Sequence, residues 1–389
     1  MQKAIVHSGS SIKILVITGE LSGELHAYHL VKALGRSLPG AVFTGIGGKK
    51  LQEAGMQIIY DYSTISVTGI SEIFAKLKYI RQAYWAVKRY MAREHPSLTI
   101  LVDFPGFNLR VAKLARSQSV PVVYFIPPQV WAWRKSRIRK IRERVNKVIC
   151  ILPFEKKLYE QYGVNAAYVG HPFLSTVKPQ YSETEFWKKL GMKRENPVIT
   201  LLPGSRENEV VKHMPVMLAV INNMAKKLSK MTILLPIAEN VASGLVDKYL
   251  EGYPNIRILK AMSLDAMAYC DIAIAASGSV TLEAAILGTP TIVLYKISFL
   301  SYMLARMLVN VRYISLPNII AGKEIFPEFI QQLDPEKIAE KALYMVKNGR
   351  EMIRDDLQMV RNKLGTSNSY ERAKDEILQF LEQTYGPLS

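Results

Sequence analysis

Residues 271–288 read DIAIAASGSVTLEAAILG. Asp271 to Ala276 is an apolar run of strand length, Ser277-Gly278-Ser279 is a turn of small residues, and Thr281 to Leu287 is patterned as a helix. A run without polar alternation suits a strand buried on both faces, and parallel sheets covered by helices bury their strands that way. The same unit recurs in both directions along the chain. Upstream lie PVITLLP (197–203), MTILLP (231–236) and IRILK (256–260), and downstream lies TIVLY (291–295). An earlier series comprises KILVIT (13–18), AVFTGI (41–46), LTILVD (98–103), PVVYFI (121–126) and KVICIL (147–152). A polar, proline-containing stretch near 172–195 separates the two series. The pattern predicts an α/β protein of two doubly wound domains in tandem, over about 1–175 and 190–366. In 367–389, Ala373, Ile377, Phe380 and Leu381 fall at helical spacing, which predicts a terminal helix that packs back on the first domain.

The bulk numbers agree with this. A chain of 389 residues with 49% hydrophobic and 22% charged residues has the composition of folded domains, not of a disordered segment. A net charge of +18 implies attraction to something anionic. Cys150 and Cys270 adjoin apolar runs without metal-ligand spacing, so both are expected as buried thiols in a reducing compartment. The first strand begins by Lys13, so no leader peptide is expected. Lys296 and Arg306 interrupt the most apolar stretch, so no membrane span is expected. A cytoplasmic protein that sits on a membrane surface remains compatible.

Open parallel sheets bind ligands beyond the carboxyl ends of their strands, and two such sheets facing each other would share a cleft. In the second domain, the turn Ser277-Gly278-Ser279 leads into a helix whose N-terminus suits a phosphate or diphosphate. Glu283, four residues after Ser279, can accept both hydroxyls of a ribose. PVITLLP runs into GSRENEV, where Pro203 and Gly204 turn the chain, Ser205 can cap the next helix, and Arg206 could hold a diphosphate. YISLPNIIAG (313–322) offers Asn318 and Gly322 after another short strand and by itself is uninformative. No Asp-x-Asp and no P-loop lysine motif occurs, so Arg206 and backbone dipoles are expected to neutralise the diphosphate without a metal or other cofactor.

In the first domain, Gly19 and Gly23 bracket a turn after KILVIT, with Glu20 facing the site; this is not a dinucleotide fingerprint. Gly45, Gly47 and Gly48 make a second glycine-rich turn. LTILVD ends at Asp103 before FPGFN, and an acid at a strand's carboxyl end is a candidate general base. His26 and His29, without a third ligand, read as half-buried helix residues.

Two basic segments remain. IFAKLKYIRQAYWAVKRYMA (73–92) sets Ile73, Leu77, Ile80, Tyr84, Val87 and Met91 on one helical stripe, with Trp85, Tyr79 and Tyr90 among cations elsewhere. PPQVWAWRKSRIRKIRERVNK (127–147) joins Trp131, Trp133 and Arg134 to a helix with the stripe Ile138, Ile141 and Val145. Surplus aromatics among cations suit an anionic membrane interface, while a core-packed helix with a solvated basic face is the plainer reading. No nucleic-acid module is recognisable.

The ordered set GELSGE, GIGGKKLQEAG, DFPGFN, PPQVWAWRKSR, LPFE, VGHPF, LLPGSRENEV, ASGSVTLEAA and SLPNIIAG resembles the lipid-A-disaccharide synthase family over almost the whole chain. The resemblance implies a GT-B fold. It implies an inverting, metal-independent transfer from UDP-2,3-diacylglucosamine to 2,3-diacylglucosamine 1-phosphate (lipid X), at the cytoplasmic face of an inner membrane. A homodimer is compatible with it. Asp103, with Glu20 second, would be the base; Arg206 and the Ser277–Ser279 turn would take the leaving charge, Glu283 the ribose, Asn318 the nucleotide or its phosphates, and Trp131, Trp133 and Arg134 the acceptor. Pro127-Pro128 and His26 depart from the usual family pattern. A peptidoglycan-type N-acetylglucosaminyltransferase, a UDP-N-acetylglucosamine 2-epimerase and a basic nucleic-acid binder stand as alternatives.

Overall fold

The structure, a computed structural model, describes residues 11–64, 70–131, 136–238, 241–297 and 312–387, with side chains at all of these except 64, 70–76, 136 and 243. Its contacts divide the chain into two compact units, Met1–Pro172 with Gly365–Ser389, and Phe173–Leu364.

The first unit is built on β1 (Lys13–Ile17), β2 (Val42–Gly47), β3 (Gln57–Asp61), β4 (Leu98–Val102), β5 (Val122–Phe125), β6 (Lys147–Cys150) and β7 (Ala166–Tyr168). They lie in the order β3-β2-β1-β4-β5-β6-β7, every pair parallel. Its helices are α1 (Leu21–Ser37), α2 (Lys49–Glu53), α3 (Ile70–Glu94), α4 (Pro105–Ser117), α5 (Ser136–Arg144), α6 (Glu155–Gln161) and a terminal helix, Ser369–Tyr385. The terminal helix packs on α1 and β6. Buried Lys147 pairs with Glu376 at 2.5 Å, and Tyr385 Oη donates to the Ser97 carbonyl at 2.7 Å.

The second unit carries β8 (Val198–Leu202), β9 (Thr232–Ile237), β10 (Ile256–Lys260), β11 (Ile272–Ala276), β12 (Thr291–Tyr295) and β13 (Glu328–Ile330). Their order is β10-β9-β8-β11-β12-β13, again all parallel. Both units are therefore doubly wound, the fold class that the apolar runs predict. The order reverses between β1 and β4 in one sheet and between β8 and β11 in the other, and those reversals open the crevices at the strands' carboxyl ends.

The ten apolar runs read as strands are all present, and β3, β7 and β13 are additional; the short strand expected ahead of Asn318 is absent from 312–315, and 298–311 lie outside the described residues. Each of the three is an edge strand or a three-residue strand, so less of it is buried and the apolar run that betrays a central strand is missing. The stripe of α3 is also not uniform. Ala83, Val87 and Met91 are fully buried and Tyr90 is buried with them, whereas Leu77 and Trp85 are 47% and 50% exposed. The helix turns from core to solvent along its length, which places Leu77 outside the buried stripe. In α5, Ile138, Ile141 and Val145 are buried while Arg139 reaches solvent and pairs with Glu143 at 2.8 Å. Cys150 and Cys270 are free, buried thiols. Among the described residues no helix is long and apolar enough to cross a membrane.

Candidate active site

At the reversal point of the second sheet, the loops after β8, β9, β10 and β11 line a cavity of about 410 Å³. Gly204, Ser205, Arg206, Ser277, Gly278, Ser279 and Glu283 all border it. The β8 loop is folded by a residue that sequence reading missed. Glu209, in the first turn of the Glu207–Ala225 helix, accepts from the Ser205 N–H at 2.9 Å and the Arg206 N–H at 3.3 Å. Its other oxygen takes the Arg206 guanidinium at 3.4 Å. Gly204 makes this possible: its φ is 128°, and a Cβ there would lie 2.5 Å from the Glu209 side chain. Arg206 is left 56% exposed at the cavity, aimed but not consumed.

Across the cavity, the Ser279–Leu287 helix presents its N-terminus. Ser277 is corrected in one respect. Its N–H donates to the Leu294 carbonyl at 2.8 Å within the sheet, so the amides left to a ligand are those beyond it, at Gly278 and the first helical residues, Ser279 and Val280. Gly278 has an extended φ of 170°, and a Cβ there would meet nothing within 4 Å. The protein's own packing therefore does not require glycine at 278. Glu283 is half-buried on the cavity wall, and burial raises its carboxyl to about 6. The ends of β9 and β10 contribute Pro236 to Ala238, Ala261 and Ser263, an apolar floor that no motif announced.

Asn318 is not part of this cavity. Its Oδ1 accepts from the Ile325 and Phe326 N–H groups at 2.8 and 2.9 Å, and its Nδ2 donates to the Phe326 carbonyl and Glu328 at 2.7 and 2.8 Å. A fully buried amide with all four bonds made has nothing left for a ligand. It closes the loop before β13.

In the first unit, Asp103 follows β4 with φ 48°, and Phe104 follows with φ 44°. Two consecutive left-handed residues that are not glycine cost energy and persist only when held. The Asp103 carbonyl is held by Tyr124 Oη and Asn108 Nδ2, each at 2.7 Å. Burial raises the Asp103 carboxyl above its ordinary range, opposed by a bond from the Phe104 N–H. The loop after β1 closes against it: a Cβ on Gly19 would fall 2.3 Å from the Phe104 ring, and one on Gly23 lies 3.7 Å from Asp103 Cβ. Glu20 begins α1 on that same loop. The β1–β4 reversal thus brings the two acidic candidates to neighbouring loops.

Trp131 is half-buried; its indole N–H donates to Glu155 at 3.2 Å, and its ring meets Phe154 edge-on at 5.1 Å. Glu155 is fully buried and its carboxyl is raised to about 8 by burial, against bonds from Leu152, Trp131 and Ile151. Trp133, Arg134 and the Ile73 side chain lie outside the described residues. Ile80 is half-buried. His26 shares a 2.9 Å hydrogen bond with Tyr370 Oη, and burial lowers it to about 4; His29 stacks on the same ring. Both serve the terminal helix. Among the described residues, no three His, Cys, Asp or Glu side chains are grouped to hold a metal.

A family model described as Lipid-A-disaccharide synthetase matches residues 14–380. The chain belongs to the lipid-A-disaccharide synthase family. It is 39% identical over 376 residues to the lipid-A-disaccharide synthase of Syntrophus aciditrophicus, covering 95% of this chain and 98% of that one. It is 39% identical to that of Nitrosococcus oceani, over 90% and 92% of the two chains. Among solved structures, a Listeria monocytogenes protein titled a putative UDP-N-acetylglucosamine 2-epimerase superposes with a TM-score of 0.66 at 16% identity, over 97% and 99% of the chains. The calicheamicin glycosyltransferase CalG4 gives 0.62 at 15%, over 97% and 100%. Those two likenesses speak for the fold alone. As a lipid-A-disaccharide synthase family member, the chain is a glycosyltransferase of lipid A biosynthesis.

Proposed function

We propose that the chain transfers 2,3-diacylglucosamine from its UDP conjugate to the 6-hydroxyl of 2,3-diacylglucosamine 1-phosphate, with inversion at the sugar carbon. The products are the β-1,6 disaccharide 1-phosphate and UDP. The observation that supports this most is the cavity at the β8–β11 reversal, which combines an aimed arginine, a helix N-terminus and a carboxylate with no partner among the described residues.

UDP would lie in that cavity with its ribose hydroxyls on Glu283 and its diphosphate between Arg206 and the Ser279 and Val280 amides. Asp103 would take the acceptor hydroxyl proton, with Glu20 as second choice. The acceptor oxygen bonds to the sugar carbon as the bond to the diphosphate breaks, and the bonding electrons leave with UDP. The sugar passes through a cationic, oxocarbenium-like state while negative charge grows on the diphosphate. A guanidinium and fixed amides are strongest against charge that grows during the reaction, and here they supply it without a chelated ion. The raised carboxyl of Asp103 brings it closer to the range in which a general base works. Exposed Trp85 and Leu77, with the cations of α3 and α5, would rest the first unit on an anionic membrane surface at the cytoplasmic face.

The test is incubation with UDP-2,3-diacylglucosamine and lipid X in EDTA, following UDP release and disaccharide formation. Metal-independent release that requires the acylated acceptor supports the proposal. Turnover of UDP-N-acetylglucosamine without an acceptor, or a strict need for Mg²⁺, refutes it.

A further inference from the structure

On the outer flank of the first unit, α3, α4 and α5 enclose a separate recess of about 310 Å³. Its floor and walls are apolar, from Ile80, Tyr84, Trp85 and Phe107. Its rim is cationic, from Arg81, Arg110, Lys113 and Arg144, and among the described residues no carboxylate lines it. Glu143, the nearest acid in sequence, is paired with Arg139 at 2.8 Å. Arg144 is steadied by a bond from Nη1 to the Leu109 carbonyl at 3.0 Å, and Arg81, Arg110 and Lys113 are exposed.

Four like charges around one recess repel each other and raise the energy of the empty protein. Their arrangement selects an anion. The apolar floor adds a second requirement, since a free inorganic anion gains nothing from it and an uncharged hydrocarbon gains nothing from the rim. An anionic amphiphile satisfies both. Phe107, Arg110 and Lys113 recur every three residues, on one flank of α4. α4 begins at Pro105, so five and eight residues of helix at 1.5 Å each carry Arg110 and Lys113 about 8 and 12 Å down it from that end. They move away from the sheet's carboxyl end, where the acceptor would react. Exposed Leu77 and Tyr79 continue the apolar surface along α3.

We infer that this recess is a binding site for the phosphate headgroup of an anionic membrane phospholipid, with the upper acyl region against Trp85 and Tyr84. The inference rests on the membrane-surface reading above and sharpens it, from a diffuse basic field to one site with a defined ligand class. Two headgroup-facing cations at about 1 kcal/mol each correspond to about 30-fold in affinity.

The experiment is co-sedimentation of the full-length protein with phosphatidylcholine vesicles, with and without phosphatidylglycerol. The protein is compared with Arg110→Gln/Lys113→Gln and with a charge-matched control on α6, Lys156→Gln/Lys157→Gln, each checked for folding by thermal melt. The site predicts about 30-fold weaker binding to phosphatidylglycerol vesicles for the first pair and at most a few-fold change for the control. Equal losses in both pairs would mean a diffuse field and overturn the site. Absence of vesicle binding by the unmodified protein would remove the membrane reading itself. A Trp85 fluorescence response to lipid X without phospholipid, abolished in Arg110→Gln/Lys113→Gln, would assign the recess to the acceptor and overturn the inference as well.

Discussion

Replacing Glu283 with glutamine should push stability and nucleotide binding in opposite directions. Burial raises its carboxyl from 4.5 to about 6. A carboxylate raised in the folded state costs stability as pH climbs through that window, and the cost is complete above it. At about 1.4 kcal/mol per unit, neutral to mildly alkaline solution carries a penalty of about 2 kcal/mol. Glu283→Gln removes the charge while keeping the shape, so the nucleotide-free protein should gain about 2 kcal/mol. For a unit the size of Phe173–Leu364 that is a rise of about 4–8 °C in the melting temperature. The ribose, however, loses a charged acceptor for its two hydroxyls, and UDP binding should weaken by about 2–3 kcal/mol, about 30- to 150-fold. Scanning calorimetry without nucleotide and titration calorimetry with UDP read the two effects separately. A variant that melts lower than the parent would show that Glu283 holds the fold together. Unchanged UDP affinity would remove the carboxylate from the nucleotide site.

Asp103→Asn should lower kcat by several orders of magnitude while titration calorimetry finds UDP affinity unchanged; lost UDP binding would move Asp103 out of the acceptor side. Since Asp103 must be ionised to accept a proton and its carboxyl is raised, activity should rise with pH along an acid limb displaced upward from the ordinary carboxylate range, and the rate–pH profile checks this. Arg206→Ala should weaken UDP by about 10- to 100-fold, with Arg206→Lys intermediate, because lysine keeps the charge but not the fork. Asn318→Ala breaks four buried hydrogen bonds and should lower the melting temperature while the folded fraction still binds UDP. Glu155, raised to about 8, should ionise near that pH beneath Trp131. A tryptophan-fluorescence step near that pH, absent in Glu155→Gln, would be its signature.

The sequence reading succeeded where burial is two-sided. DIAIAA and KILVIT are continuous apolar runs because helices cover both sheet faces, and the turns that follow such strands were found from their small residues. It failed at the edges, where β7 and β13 are three residues long and β3 is exposed at both ends and only half-buried between them. Asn318 misled because a polar side chain after an apolar stretch looks the same whether it faces a ligand or ties its own loop. Glu209 was passed over for the opposite reason: an acid in a helix's first turn looks like routine capping until the chain is seen to wrap Arg206 around it. The left-handed pair Asp103-Phe104 is only half legible: aspartate tolerates that conformation and Asn108 lies close by, but phenylalanine gives no sign of it and Tyr124, which with Asn108 holds the turn, lies on another strand.

The most direct test of the account is to locate bound UDP by determining the structure of its complex with this protein. The account predicts the diphosphate within hydrogen-bonding reach of Arg206 and the Ser279 and Val280 amides, with the ribose on Glu283. UDP seated at the β1–β4 loops beside Asp103, or away from the turn at Gly278, would contradict it.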